Sequence, residues 1–256
     1  MTIRRVFVLG LLTIATFVGS FTLSKKAMLA QGRIALTATQ TESVYNKSGQ
    51  LKTELSSINV ISVRSDASTI LAKSMPKPGN RGTAEIRHIN DLSKGEEIVV
   101  DGLTESVSTL PIPRKGVEMH TKAPTCVTED PRMRGSMLGY DVVHVVEERA
   151  RTGRTIRVEK WLAPTLNCFP LKQIFYIGNT AADLYAANVK EVTQVSIGEP
   201  PSSLFEKPVG YTERYASQRR EEFARRYPEV PIPEALRKAD REDDEIYHRR
   251  QADRGK

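Results

Sequence analysis

Only two cysteines, one tryptophan and four histidines occur in 256 residues. Two cysteines exclude a disulfide-dense miniprotein and a four-cysteine zinc site. No Cys-x-x-Cys is present, so a thioredoxin-like redox dithiol is excluded as well. The chain lacks a Walker loop, Gly-x-Gly-x-x-Gly, His-Glu-x-x-His and Gly-x-Ser-x-Gly, which removes the common nucleotide, metalloprotease and serine-hydrolase signatures. No repeat of fixed period marks a propeller or solenoid. Fourteen prolines and sixteen glycines are close to average, against collagen-like and low-complexity classes. What remains, at 39% apolar and 27% charged residues, is the composition of a soluble globular chain.

The formal net charge of +7 overstates the basicity of the folded part. Arg4, Arg5, Lys25 and Lys26 lie in the first thirty residues, which hold no acid; without them residues 31–256 carry +3. No nucleic-acid motif accompanies that remainder, so no nucleic-acid partner is expected. Residues 1–30 read as a signal peptide or N-terminal membrane anchor. A short basic start precedes the uncharged run Val6–Leu23, with Val18 and Ser20 placed for a cut after Ser20; Ala30 is the second candidate site. The alternative is an inner-membrane anchor formed by residues 6–23, whose eighteen residues just reach across a bilayer. Membrane contact is expected only through this segment, if it stays uncleaved. Either way the protein is exported, to the periplasm or beyond.

Export changes the reading of Cys126 and Cys168. A lone pair in an oxidising compartment predicts one disulfide. It would pin a long connection over 110–137 that carries Pro111, Pro113, Pro124 and Pro131.

From residue 33 to about 198 the pattern is a series of short extended segments. Strands are predicted at 33–40, 42–45, 51–55, 59–64, 69–74, 83–89, 140–148, 155–163, 171–177 and 187–197, with Asn46–Gly49 as a turn. Asp101-Gly102 after Ile98-Val99-Val100 predicts a tight two-residue hairpin. Such a series without intervening helices argues for an antiparallel meander. After Tyr211 the composition shifts: 212–256 holds 12 basic and 11 acidic residues. Glu221/Arg225, Glu222/Arg226, Glu234/Lys238 and Glu245/Arg249 stand four apart, acid first, as helices favour. Two helices are predicted, over 213–227 and 233–250. Tyr215, Phe223 and Tyr227 give the first an apolar face toward the sheet; the second is expected to be solvated or frayed.

Few residues carry chemistry. His144 interrupts an apolar strand beside Glu147 and Glu148, but one imidazole without an oriented partner is not a catalytic set. Trp161 suits a core or hairpin anchor better than a ligand pocket. Glu242–Glu245 lacks the spacing and glycine of a calcium loop. No catalytic residue, metal ligand or cofactor is nominated, and the protein is expected not to be an enzyme.

Three segments carry a resemblance: Gly139-Tyr140-Asp141-Val142-Val143, Trp161-Leu162-Ala163-Pro164-Thr165-Leu166-Asn167-Cys168, and Leu204-Phe205-Glu206-Lys207-Pro208-Val209-Gly210-Tyr211. In order and spacing they resemble a family of exported, largely uncharacterised bacterial proteins with an open half-barrel domain like that of lipoprotein carriers. The resemblance implies structural roles for Gly139, Tyr140, Trp161, Pro164, Phe205, Pro208, Gly210 and Tyr211. It also implies a mainly β fold: a curved antiparallel sheet over 32–211, an open half-barrel, followed by a charged helical tail over 212–256. The function expected is that of a non-enzymatic envelope binding protein carrying an apolar or lipid ligand on a concave sheet face. The alternative is a scaffold that recruits an envelope protein through the tail.

Overall fold

A computed structural model of the protein describes residues 33–113, 117, 126, 130, 133–151 and 154–254. The leader and its candidate cleavage sites lie outside the described residues. The chain is an antiparallel β protein with two C-terminal helices, the class that the sequence predicts. The strands are β1 (Leu36–Val44), β2 (Ser57–Val63), β3 (Thr69–Pro76), β4 (Thr83–Asp91), β5 (Glu96–Asp101) and β6 (Ser106–Pro111), then β7 (Arg134–Met137), β8 (Tyr140–Arg151), β9 (Arg154–Ala163), β10 (Phe169–Gly178), β11 (Tyr185–Ile197) and β12 (Thr212–Glu213). The helices are α1 (Ala216–Arg226) and α2 (Glu234–Arg254). Compaction does not follow chain order. Residues 33–67, 126, 130, 133–151 and 154–200 form one unit, and 68–113, 117 and 201–254 form the other.

In the first unit the strand order is β2-β1-β11-β10-β9-β8-β7. β1 is the organising strand. Its sequence, LTATQTESV, buries every second residue through Glu42, because alternate side chains leave a strand on opposite faces. Leu36 and Ala38 point into a core with Val63, Val142, Ala163, Leu166, Leu171 and Val192. β1 pairs with β11, setting Leu36 opposite Ile197. The cysteines are bonded as predicted, Cys126 to Cys168, with Cα atoms 5.6 Å apart. Cys168 follows the short turn Pro164–Leu166.

The β7–β8 hairpin is not predicted by the sequence. Its two turn residues, Leu138 (φ 52) and Gly139 (φ 79), are both left-handed, the geometry that lets two residues join twisted strands. An apolar residue at the first position hides this signal. The strand predicted over 51–55 is also corrected: Leu51 makes only an isolated bridge to Tyr45, and Thr53–Leu55 is a single 3-10 turn. Local hydrogen bonds win here. The Lys52 carbonyl accepts from the amides of Leu55 (3.0 Å) and Ser56 (3.1 Å) and from the Ser56 hydroxyl (3.0 Å).

In the second unit the order is β3-β4-β5-β6-β12, with β12 parallel to β6. Within neither unit do the described strands pair back from last to first, so each is an open sheet. Both faces of the second sheet are covered. Ile70, Ile89, Ile98, Val100 and Val107 lie with Phe205 and, at the margin, Tyr211. Ala84, Ile86 and Leu103 on the other face meet Phe223, Tyr227 and Val230, so two of the three predicted apolar residues dock on the sheet, while Tyr215 meets the rings of Tyr247 and His248 instead.

The Asp101-Gly102 turn differs from expectation. β5 and β6 are joined by four residues, and the positive φ falls on Glu105 (49°) rather than on Gly102. Glycine is required at 102 for a different reason. Its amide donates to the Glu85 carbonyl at 2.9 Å, and a Cβ there would stand 2.6 Å from that same oxygen. Gly102→Ala is expected to cost about 2 kcal/mol through forced displacement of β4. Urea unfolding measures it; an unchanged midpoint would contradict the close approach.

Candidate functional site

The side of the first sheet that carries Leu36 and Ala38 changes character along its strands. Beyond the apolar rows at Leu36 and Ala38, Gln40 stands opposite Asn59 and Val192. The next row crosses six strands: Ser57, Glu42, Lys190, Gln173, Lys160 and Val145. Apolar side chains then return, with Phe175 opposite Val158 and Ile177 opposite Ile156.

The polar belt is deeply placed: Gln40, Glu42, Asn59 and Lys190 keep 4%, 8%, 1% and 5% of their exposure. Buried polar groups must be paired to be tolerated. Glu42 Oε1 accepts from Asn188 Nδ2 at 2.8 Å, and Oε2 accepts from Asn59 Nδ2 at 3.3 Å. Lys190 Nζ lies 3.7 Å from Glu42 Oε1 and 5.6 Å from the centre of the Phe175 ring. Lys160 Nζ donates to Glu147 Oε1 at 2.7 Å. Asn188 Oδ1 is buried without a hydrogen-bond partner among the described residues.

Past the belt the same side stays open in part. Val145, Ile156, Val158, Phe175 and Ile177 are only half-buried, whereas Leu36, Leu171 and Val192 on that side are at most 2% exposed. The arrangement suits non-covalent binding, with an apolar floor bordered by buried and paired charges. Sequence reasoning nominates none of these residues. The signal lay in β1, where Leu36, Ala38, Gln40 and Glu42 pass from apolar to polar along one face.

The residues singled out from the sequence are elsewhere. His144 lies on the opposite side of the sheet, in the row Ile58–Thr41–Glu191–Lys172–Trp161–His144. Its ring stacks on Trp161 at 4.4 Å, and its Nε2 is 3.3 Å from Glu159 Oε2. Glu147 is therefore not its partner: that carboxylate faces the other side and holds Lys160. Tyr140 and Trp161 pack on the first core, and Phe205 is 2% exposed in the second. Gly139 and Gly210 have positive φ, and Pro164 opens the turn before Cys168. Pro208 stands between Phe205 and the half-buried Tyr211.

The second unit offers a cleft of about 400 Å³ between β12 and α1, lined by Glu213, Arg214, Glu221, Glu222 and Arg225 among others. Its charges answer one another. Glu222 receives Arg214 at 2.9 Å and Arg226 at 2.6 Å, and the Arg225 and Arg226 hydrogen bonds hold its carboxyl down at about 2. On the helix-covered sheet face, burial lowers His88 to about 4, helped by the nearby Arg219 cation. Among the described residues no cluster of three or more His, Cys, Asp or Glu is arranged to hold a metal.

No family model matches the chain, and no curated protein matches it. Among solved structures, PNGF-II is similar over 75% of this chain at 15% identity and a TM-score of 0.42; this chain spans only 34% of its length. An uncharacterized conserved protein from Thermus thermophilus is similar over 71% of this chain and 90% of its own, at 10% identity and a TM-score of 0.43. A domain provisionally assigned to outer membrane lipoprotein sorting, from Vibrio parahaemolyticus, is similar over 69% and 91%, at 11% identity and a TM-score of 0.20. Likenesses at this level assign no activity to the chain.

Proposed function

We propose that the protein is an exported, non-enzymatic binding protein of the cell envelope that holds an apolar or lipid ligand on the Glu42 side of β8–β11. The observation that carries this reading is the half-open apolar floor of Val158 and Phe175, flanked by Val145, Ile156 and Ile177. Apolar rows that continue a core are normally closed over by the protein itself; on the Leu36 side the rows above the belt are closed and those below it are not. The Cys126–Cys168 bond supports an oxidising compartment. Among the described residues no helix is long and apolar enough to cross a membrane.

Titration with a fluorescent fatty acid tests the reading. The native protein is expected to bind the probe, and Val158→Lys is expected to weaken binding about tenfold, from the worth of one buried apolar side chain. Ile58→Lys, on the opposite side and 60% exposed, should leave affinity unchanged. Absence of binding, or equal loss in both variants, would contradict the assignment.

A further inference from the structure

α2 is docked in an unusual way. A surface helix ordinarily turns an apolar stripe toward the core. The inward side of α2 instead presents Leu236, Asp240, Asp244, Tyr247 and Arg250, which are buried or half-buried while their neighbours are mostly exposed. Leu236, at 2% exposure, is the fully buried apolar residue of this stripe. The remaining attachments are polar or aromatic. Asp240 is clasped by Arg220 through Nε at 2.8 Å and Nη2 at 3.1 Å. Arg250 Nη1 reaches Glu97 Oε2 of β5 at 3.4 Å. Tyr215 meets the rings of Tyr247 and His248 at 5.8 and 5.3 Å.

The remaining contact couples the two helices. Asp244 Oδ1 accepts the amide of Ser217, in the first turn of α1, at 3.2 Å. That turn has no acid of its own, so α2 supplies the negative charge that a helix start favours. α1, by contrast, is fastened by Phe223 and Tyr227, each 5% exposed, and the anchor continues through Val230 and Ile232. Pro231 and Pro233 flank Ile232, where the apolar anchor ends.

We infer that α2 is a releasable strap: it undocks as a unit, pivoting after Ile232, while α1 and the sheet beneath stay folded. Ion pairs taken out of water recover little net free energy, because desolvation offsets their attraction. A helix held mainly by such pairs therefore opens well before the global unfolding of the unit that carries it. Release frees the Arg220 fork and uncovers Tyr215, and it takes the Asp244 acceptor from the Ser217 amide, leaving the first turn of α1 with only its own Gln218 cap on the Tyr215 amide. The sequence predicts a solvated or frayed second helix; the structure shows a docked one whose docking side is polar.

Hydrogen exchange on the full chain, resolved by peptide, tests this. Amides of 236–250 are expected to exchange at least about tenfold faster than those of β4 and β5, as a low-stability element does. Asp240→Asn should speed them roughly another tenfold, the loss expected for a charged hydrogen bond, together with the first turn of α1 and without change in β4–β6. A common rate for α2 and the strands, moving together in the variant, would overturn the proposal. So would loss of the sheet's circular dichroism in Asp240→Asn, since α2 would then be integral to the fold.

Discussion

Replacing Cys126 and Cys168 together by serine is expected to lower stability by about 4 kcal/mol, the chain-entropy value for closing a loop of this size. The bond joins positions 42 residues apart in sequence, and both cysteines are buried, at 7% and 5% exposure. One end follows directly on Leu166 and Ala163 of the first core, each at most 2% exposed. The other lies in a connection rich in proline, which has little apolar pattern with which to hold itself. The bond acts chiefly on the unfolded chain by forbidding its most extended states. Urea unfolding of the double variant should therefore match that of the reduced native protein. A change below about 1 kcal/mol would show that the connection is held by packing instead.

Acid is expected to weaken the second unit through His88, by about 3 kcal/mol between pH 7 and pH 4. The sign follows from its lowered value. In the unfolded chain the imidazole takes up a proton near its ordinary 6.5, while in the folded protein it resists until about 4. Within that window the unfolded state binds more protons, so stability falls as pH falls. Burial is the main cause, and the Arg219 guanidinium adds to it; Lys73 acts in the same direction and Asp101 against it. His88→Gln should lose this step and keep only the acid loss of the carboxylates, such as Glu222, below about pH 5. Parallel acid losses in variant and native protein would place the effect elsewhere, in the carboxylates.

Much of the architecture was legible where one local rule dominates. β1 shows a two-residue alternation, α1 carries Phe223 and Tyr227 on one side, and two cysteines leave one possible pairing. Features set by tertiary contact were hidden. Gly102 suggests a turn by its neighbours, yet it serves the approach of the Glu85 carbonyl. Leu138 takes a left-handed conformation that its apolar side chain gives no reason to expect. Two compact units that interleave along the chain leave no mark in composition, because β1 and β11 are brought together only by pairing. The candidate site was missed for the same reason: Glu42, Lys190, Gln173 and Lys160 come from separate strands and form a row only through register.

That row separates a closed apolar core from an apolar floor that remains half-open, and the account of the protein as a carrier rests on the difference. Mutating Glu42 or Lys190 alone would confuse binding with stability, since truncating one partner of a buried pair is itself destabilising. Direct detection of a bound molecule avoids this. Native mass spectrometry of the full chain, produced with its own leader in an oxidising periplasm, is the most direct measurement. The account predicts a mass above that of the polypeptide, lost on organic extraction and reduced in Val158→Lys but not in Ile58→Lys. A bare polypeptide mass, unchanged after incubation with a fatty acid, would contradict it.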